Sequence, residues 1–226
     1  MCCMKALFLS VPKWLWVSFI VFSVILVIFP QIDLFISSLF YREGLGFPFS
    51  KTWLEQLVYH SVRYLLIVIY VAALLLWIYN RLAKKTVLDF NGRKLLFVVL
   101  VLAIGSGVIV NLVLKEHWGR ARPEQTINFG GKREFTPPFI LSDAGGQSFS
   151  CGHASGAFAL VAFAFLLHKR RTFWFALTLG YGTIVGLVRI AEGGHFLSDV
   201  IVSFYIMMIV SYLLYYLLLS RHDATV

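Results

Sequence analysis

The sequence predicts an all-α integral membrane protein: a six-helix transmembrane bundle with short interfacial helices on its periplasmic side. Three observations predict it. The 226-residue chain is 59% hydrophobic and only 14% charged, whereas about a quarter of the residues in a soluble domain are charged. Its mean hydropathy is +0.81. Its apolar residues also gather into continuous runs approaching the roughly twenty residues that cross a bilayer. One bundle accounts for all of it, so residues 1–226 are expected to form a single membrane-embedded domain. A net charge of +9 would suggest nucleic acid in a soluble protein. Here it reads as topology signals at helix ends, and no nucleic-acid partner is expected.

The first run, residues 14–29, stops at Pro30. It lacks a small-residue cleavage site, so it reads as an uncleaved anchor. The other runs cover residues 64–79, 95–114, 154–167, 173–188 and 200–219. Between the first two, residues 31–60 read as two short helices, lying on the outer interface or equally packed as ordinary core against the bundle. In the first, Ile32, Phe35, Ile36, Leu39 and Phe40 recur at helical spacing with Asp33, Ser37 and Ser38 between them. In the second, Thr52 with Glu55 three residues on fits a capping box, and Leu54, Leu57 and Val58 share a face.

Short loops set the orientation. Arg81, Lys84, Lys85, Arg93 and Lys94 flank one loop, and Lys169, Arg170 and Arg171 another. With Lys5, Lys13 and Arg221 they place those loops and both termini in the cytoplasm. The opposite face receives residues 30–63, 115–153 and 189–199. Cys2, Cys3 and Cys151 form no even, spaced framework, so no disulfide is expected, and Cys2 and Cys3 are expected to be unmodified.

Three blocks on that outer face carry the chemistry. Residues 115–123 place Lys115 and Arg122 two helical turns apart, about 10 Å along one side, with Pro123 ending the helix. Alone they read as snorkelling cations. Residues 148–155 open the fourth span, with Ser148 or Ser150 as cap. The backbone N–H groups of Cys151 to His153 are then free to face an anion. Residues 189–199 hold Arg189, His195 and Asp199. If the chain is helical from His195, Asp199 lies on the same face, and an imidazole held by a carboxylate is ready to act as nucleophile or base. Alone this is equally an ion pair closing a helix. Together the blocks supply three cations and a helix N-terminus, which suit a phosphate monoester dianion. Two histidines can divide attack at phosphorus from protonation of the leaving oxygen.

Lys-x6-Arg-Pro, a Ser-Gly-His-type block and Arg-x5-His-x3-Asp resemble the three-part signature of the type 2 phosphatidic acid phosphatase superfamily, which also includes vanadium haloperoxidases. The resemblance implies that His195 is the nucleophile forming a phosphohistidine, that Asp199 orients it, and that His153 is the general acid. It implies that Lys115, Arg122 and Arg189 hold the phosphate with the Gly152 N–H. No metal or other cofactor is implied. Cys151 stands where a serine hydroxyl usually helps bind phosphate, and a thiol is the weaker donor; Val188 replaces a further serine. Cys151 is not itself the expected nucleophile, because Ala157 and Phe158 stand where a cysteine phosphatase needs an arginine.

His117-Trp118-Gly119-Arg120, Pro137-Pro138-Phe139 and Ser148 to Gly152 resemble the lipid A 4′-phosphatase branch of that superfamily. The implied substrate is lipid A, with undecaprenyl diphosphate or phosphatidylglycerophosphate as alternatives. The implied place is the periplasmic face of a bacterial inner membrane. Lys132 and Arg133 read as solvated loop cations or as partners of a second phosphate. A reading of another class is a non-catalytic lipid-binding or transport protein, but transporters place charges near the bilayer midplane, and these gather at one interface. Haloperoxidase chemistry is disfavoured, since nothing in the composition suggests a soluble scaffold.

Overall fold

Proline 30 divides the beginning of the chain into two helices. The computed structural model describes residues 10–167 and 169–220; Cys2, Cys3, Lys5 and Arg221 lie outside them. Helix α1, Lys13–Ile28, turns its apolar side chains outward along most of its length, burying Leu15 and Leu26. Pro30 brings no N–H donor to continue it. The chain then bends by 84° into α2, Gln31–Ser38.

Helix α2 decides between the two readings of its segment. A helix lying on the interface would turn its polar side to water. Instead Asp33 and Ser37 are fully buried, while Phe35 and Leu39 are 63% and 59% exposed. Hydrocarbon accepts an exposed Phe or Leu at no cost, so the polar side is the one that must find protein partners.

The second interfacial helix is corrected: it is the beginning of a span. Helix α3, Trp53–Leu82, runs unbroken for 30 residues, because no Gly or Pro interrupts it. Thr52 caps it, its Oγ1 accepting from the Glu55 N–H at 3.3 Å. The Glu55 carboxylate turns back to accept from the Lys51 N–H at 3.2 Å.

Helix α4, Gly92–Lys115, starts on an Asn91 cap whose Oδ1 accepts from the Lys94 N–H at 3.1 Å. From Val101 its backbone adopts wider π-type hydrogen bonding. It does not continue to Pro123 as expected. Gly119 takes a left-handed φ of +73°, and any side chain there would overlap the Ser142 carbonyl. Arg122 is therefore extended, with φ −77° and ψ 156°, and the expected two helical turns between Lys115 and Arg122 are absent. The segment beyond folds back through the short turns Pro123–Gln125 and Ile127–Phe129, and the Glu124 N–H donates to the Gly193 carbonyl at 3.1 Å.

Helix α5, Gly152–Leu166, is broken at Leu160 and buried at every residue from 154 to 162. Its neighbours come close because glycines let them: α6, Arg171–Ala191, presents Gly182 to Phe158, and Gly186 meets Val200 of α7, Leu197–Ser220. Small residues at such crossings are the usual basis of helix packing in lipid. Helices α3, α4, α6 and α7 are each long and apolar enough to cross a membrane, and the bent α1–α2 pair can make a fifth span. Ile67, Val68, Val71 and Leu75 lie exposed along α3, the surface of a multi-pass membrane protein. At 15 residues, α5 measures about 22 Å, less than the roughly 30 Å hydrocarbon core.

The α5–α6 crossing gives a stability test. Gly182→Val drives new carbon atoms into the Phe158 ring, and overpacking of this kind costs about 1–3 kcal/mol. A Cβ added at Gly180 would meet nothing within 4 Å. Gly182→Val is expected to lower the detergent-solubilised melting temperature, with Gly180→Ala unchanged.

Candidate active site

The tight connection between α6 and α7 carries the central histidine. The Gly194 and His195 N–H groups both donate to the Arg189 carbonyl at 3.1 Å. Gly193 makes the turn at φ +77°, where a side chain would collide with the Phe47 ring. His195 is buried. Its Nδ1 lies 2.7 Å from the Ser148 carbonyl oxygen and 3.7 Å from Asp199 Oδ2. A carbonyl can only accept, so Nδ1 carries the proton, and in the neutral ring Nε2 keeps its lone pair.

Asp199 reaches this ring differently from the sequence reading. The helix begins at Leu197, so His195 precedes it. Asp199 Oδ2 accepts from the Phe196 N–H at 2.8 Å and from Ser148 Oγ at 2.6 Å. The carboxylate thus fixes Ser148, and the Ser148 carbonyl holds the imidazole. Burial opposes charge on His195, but the Cys151 sulfur and the Asp199 carboxylate raise its pKa above the ordinary value.

Neither expected serine caps α5. Ser148 is engaged by Asp199, and the Ser150 hydroxyl is buried without a partner among the described residues. Cys151 is the cap, its Sγ accepting from the Ala154 N–H at 3.5 Å. Its own N–H donates to the Asp199 carbonyl at 3.3 Å, which ties the beginning of α5 to α7. Gly152 and His153 open the helix, so their N–H groups have no intrahelical acceptor. A Cβ at 152 would come within 2.6 Å of Asn111 Oδ1 on α4, so any larger residue there displaces that side chain.

The structure brings the remaining expected residues to the same end. The His153 ring lies 4.1 Å from the Tyr59 ring, and the Arg189 guanidinium lies 5.1 Å over that same tyrosine. His153 is within electrostatic reach of Arg189, His195, Lys115 and Arg122. Lys115 and His153 line a cavity of about 450 Å³ with Asn111, Gly152 and Arg63, between α3, α4 and α5. Lys132 and Arg133 stay in the loop between α4 and α5, where Arg133 donates to Gln125 at 3.3 Å.

Several residues escaped sequence reasoning. Arg120 is fully buried; its Nη1 donates to Asp199 Oδ1 at 2.6 Å and Ser198 Oγ at 2.7 Å, and its Nη2 donates to Asp33 at 2.8 Å. Burial opposes its charge, but Asp199 and Asp33 together hold its pKa above the usual value. Asp33 and Ser37, four apart on one face of a short apolar helix, were the available signal. Glu192 pairs with Arg189 and meets Glu55 of α3. Among the described residues no group of three His, Cys, Asp or Glu side chains is arranged to hold a metal.

The model of the PAP2 superfamily matches residues 94–223, more than half of the chain. This chain belongs to the PAP2 superfamily. The three blocks at residues 115–123, 148–155 and 189–199 all fall inside the matched segment. Among curated proteins, the chain is similar to three that carry the name lipid A 4′-phosphatase. The one from Francisella tularensis subsp. novicida is 37% identical over 135 residues, 58% of this chain and 61% of that protein. The match therefore spans less than two thirds of that relative. The one from Rhizobium leguminosarum is 30% identical over 84% of this chain and 87% of its own length. The one from Rhizobium etli is 32% identical over 76% of this chain and 73% of its own. No solved structure matches the chain significantly.

The Arg189 side of this PAP2 site gives a pH test. Burial pushes the Glu192 carboxyl up to about 8, against the pull of Arg189, and Glu55 adds to the rise. A carboxyl raised on folding contributes stability below its unfolded value, near 4.5, and that stability is lost as pH rises toward 8. The melting temperature is expected to fall between pH 5 and pH 8, and Glu192→Gln is expected to flatten that slope.

Proposed function

We propose that this protein is a membrane lipid phosphatase that hydrolyses a phosphate monoester of lipid A through a phosphohistidine on His195. One observation carries the reading: the Ser148 carbonyl takes the Nδ1 proton of His195 at 2.7 Å. That leaves Nε2 as the lone pair among cations suited to a phosphate. Support for lipid A comes from the three relatives bearing the name lipid A 4′-phosphatase.

Nε2 of His195 attacks phosphorus, and the bond from phosphorus to the lipid oxygen breaks. His153 gives that oxygen its proton, and the lipid leaves as an alcohol. Lys115, Arg122 and Arg189, with the Gly152 N–H, offset the charge on the equatorial oxygens. A water, deprotonated by His153, then attacks the phosphohistidine and releases phosphate and a free His195. Asp199 orients the ring by holding Ser148. Cys151 caps the helix that supplies the amide, so its thiol need not donate to the phosphate.

The whole chain forms one catalytic domain. It crosses a bacterial inner membrane six times, counting α1 and the short α5, with both termini cytoplasmic. The site faces the periplasm, and the α3–α4–α5 cavity receives the lipid beside the phosphate.

Purified protein in detergent micelles, offered lipid A, is expected to release one phosphate, seen as the mass loss of the lipid. His195→Ala is expected to reduce the rate at least about 1,000-fold, with membrane insertion unchanged. Full activity in that variant would falsify the mechanism. Cys151→Ser is expected to stay within about tenfold of the wild type. Lipid A left intact while undecaprenyl diphosphate or phosphatidylglycerophosphate loses phosphate would overturn the substrate and leave the phosphatase standing.

A further inference from the structure

Helix α2 lies outside the residues that match the PAP2 superfamily, yet its acid reaches the centre of the site. Asp33 accepts from the Ser198 N–H at 2.9 Å through Oδ1. Its Oδ2 accepts from Ser198 Oγ at 2.5 Å and from Arg120 Nη2 at 2.8 Å. The other end of the Arg120 guanidinium holds Asp199 Oδ1 at 2.6 Å, and its Nε donates to the Thr136 carbonyl at 2.9 Å. Asp199 in turn holds Ser148, whose carbonyl holds His195. Each link is buried, so water cannot take the place of a missing partner.

Resting on the phosphatase reading, we propose that Asp33 is a positioning residue of this reaction: through Arg120 and Ser198 it fixes the angle at which Asp199 and Ser148 present the His195 ring. Arg120 has no other carboxylate partner among the described residues. Two carboxylates around one guanidinium leave a net negative charge beside His195, which favours the positive ring that forms as Nε2 bonds to phosphorus. With asparagine at 33, that net charge falls to zero and the guanidinium is free to follow Asp199 alone.

The structural alternative makes a different forecast. If Asp33 only braces α2, its loss lowers the amount of folded protein while the surviving molecules work normally. A positioning role instead lowers kcat and leaves KM, because Lys115, Arg122 and Arg189 are untouched. It also moves the pH profile. The groups facing His195 are Asp199 of α7, Cys151 and His153 of α5, and Arg189 and Glu192 of α6. Asp33→Asn alters none of them, so a shift reports the Arg120 link.

The test measures kcat, KM and the pH dependence of kcat/KM on a lipid phosphate monoester in detergent micelles, for wild type, Asp33→Asn, Asp33→Glu and Ser198→Ala. Size-exclusion chromatography normalises each to folded protein. Asp33→Asn is expected to lower kcat about 100-fold, the scale of a misplacement near 1 Å, with KM within about twofold of wild type. Its acid limb is expected to move to lower pH, because an Arg120 left to Asp199 alone offsets more of the carboxylate charge that raises the imidazole. Asp33→Glu is expected to recover part of kcat, and Ser198→Ala to lose an intermediate amount. Unchanged kcat per folded molecule, or a loss without movement of the acid limb, would overturn the proposal. Should Asp33→Asn not fold, kcat and KM decide, since Asp33→Glu and Ser198→Ala keep the charge: a lowered kcat at unchanged KM in both supports the proposal, and wild-type kcat in both overturns it. A wild type without activity would instead sink the phosphatase reading.

Discussion

A fully buried guanidinium, Arg120, is the point on which the catalytic end of this bundle depends. Its Nε takes the Thr136 carbonyl, Nη1 takes Asp199 and Ser198, and Nη2 takes Asp33. Its flat faces meet Phe196 at 4.5 Å and Phe135 at 5.6 Å. Removing such ions from water costs several kcal/mol each, so the cluster is a weak source of stability. Removing one partner is another matter, since a buried charge left alone costs about 3–5 kcal/mol. What the cluster does supply is a single arrangement: only one placement of α2, the α4–α5 loop and α7 satisfies every donor.

That arrangement sets the chemistry. The beginnings of α5 and α7 are tied by the Cys151 N–H to the Asp199 carbonyl and by Ser203 Oγ to the Cys151 carbonyl at 3.0 Å. The end of α6 is tied to His195 through the Arg189 carbonyl. Three helix ends therefore move as one body. Fixed dipoles and cations aimed at a phosphate need no rearrangement when charge develops on it. Glycines at 182 and 186 complete the same design lower down by letting the backbones close together.

Much of this was legible in the sequence. Apolar runs marked the helices, and the three blocks carrying Lys115, Arg122, His153, Arg189, His195 and Asp199 do come together at one end of the bundle. The failures share a physical cause: they concern partners distant in sequence or an environment opposite to water. Asp33 and Arg120 stand 87 positions apart, and no local pattern joins them. The spacing in α2 left open whether its acid faces water or protein, because amphipathic helices in water turn acids outward whereas lipid inverts the preference. The Lys115–Arg122 spacing suggested two helical turns until Gly119 bent the backbone under the Ser142 carbonyl. The role of Ser148 depends on a main-chain oxygen, which residue identity does not encode.

The distance along the chain between Asp33 and Ser198, 165 positions, also sets a timetable. A membrane protein is threaded into the bilayer as it is made. Asp33 therefore enters long before Arg120, and both wait for Asp199 and Ser198 on the final helix. Until Arg120 is made, Asp33 has no cation to pair with, and until α7 arrives the pair lacks Asp199 and Ser198. Assembly of this end of the bundle therefore waits for α7, and a chain cut short before it leaves Asp33 and Arg120 without half of their partners.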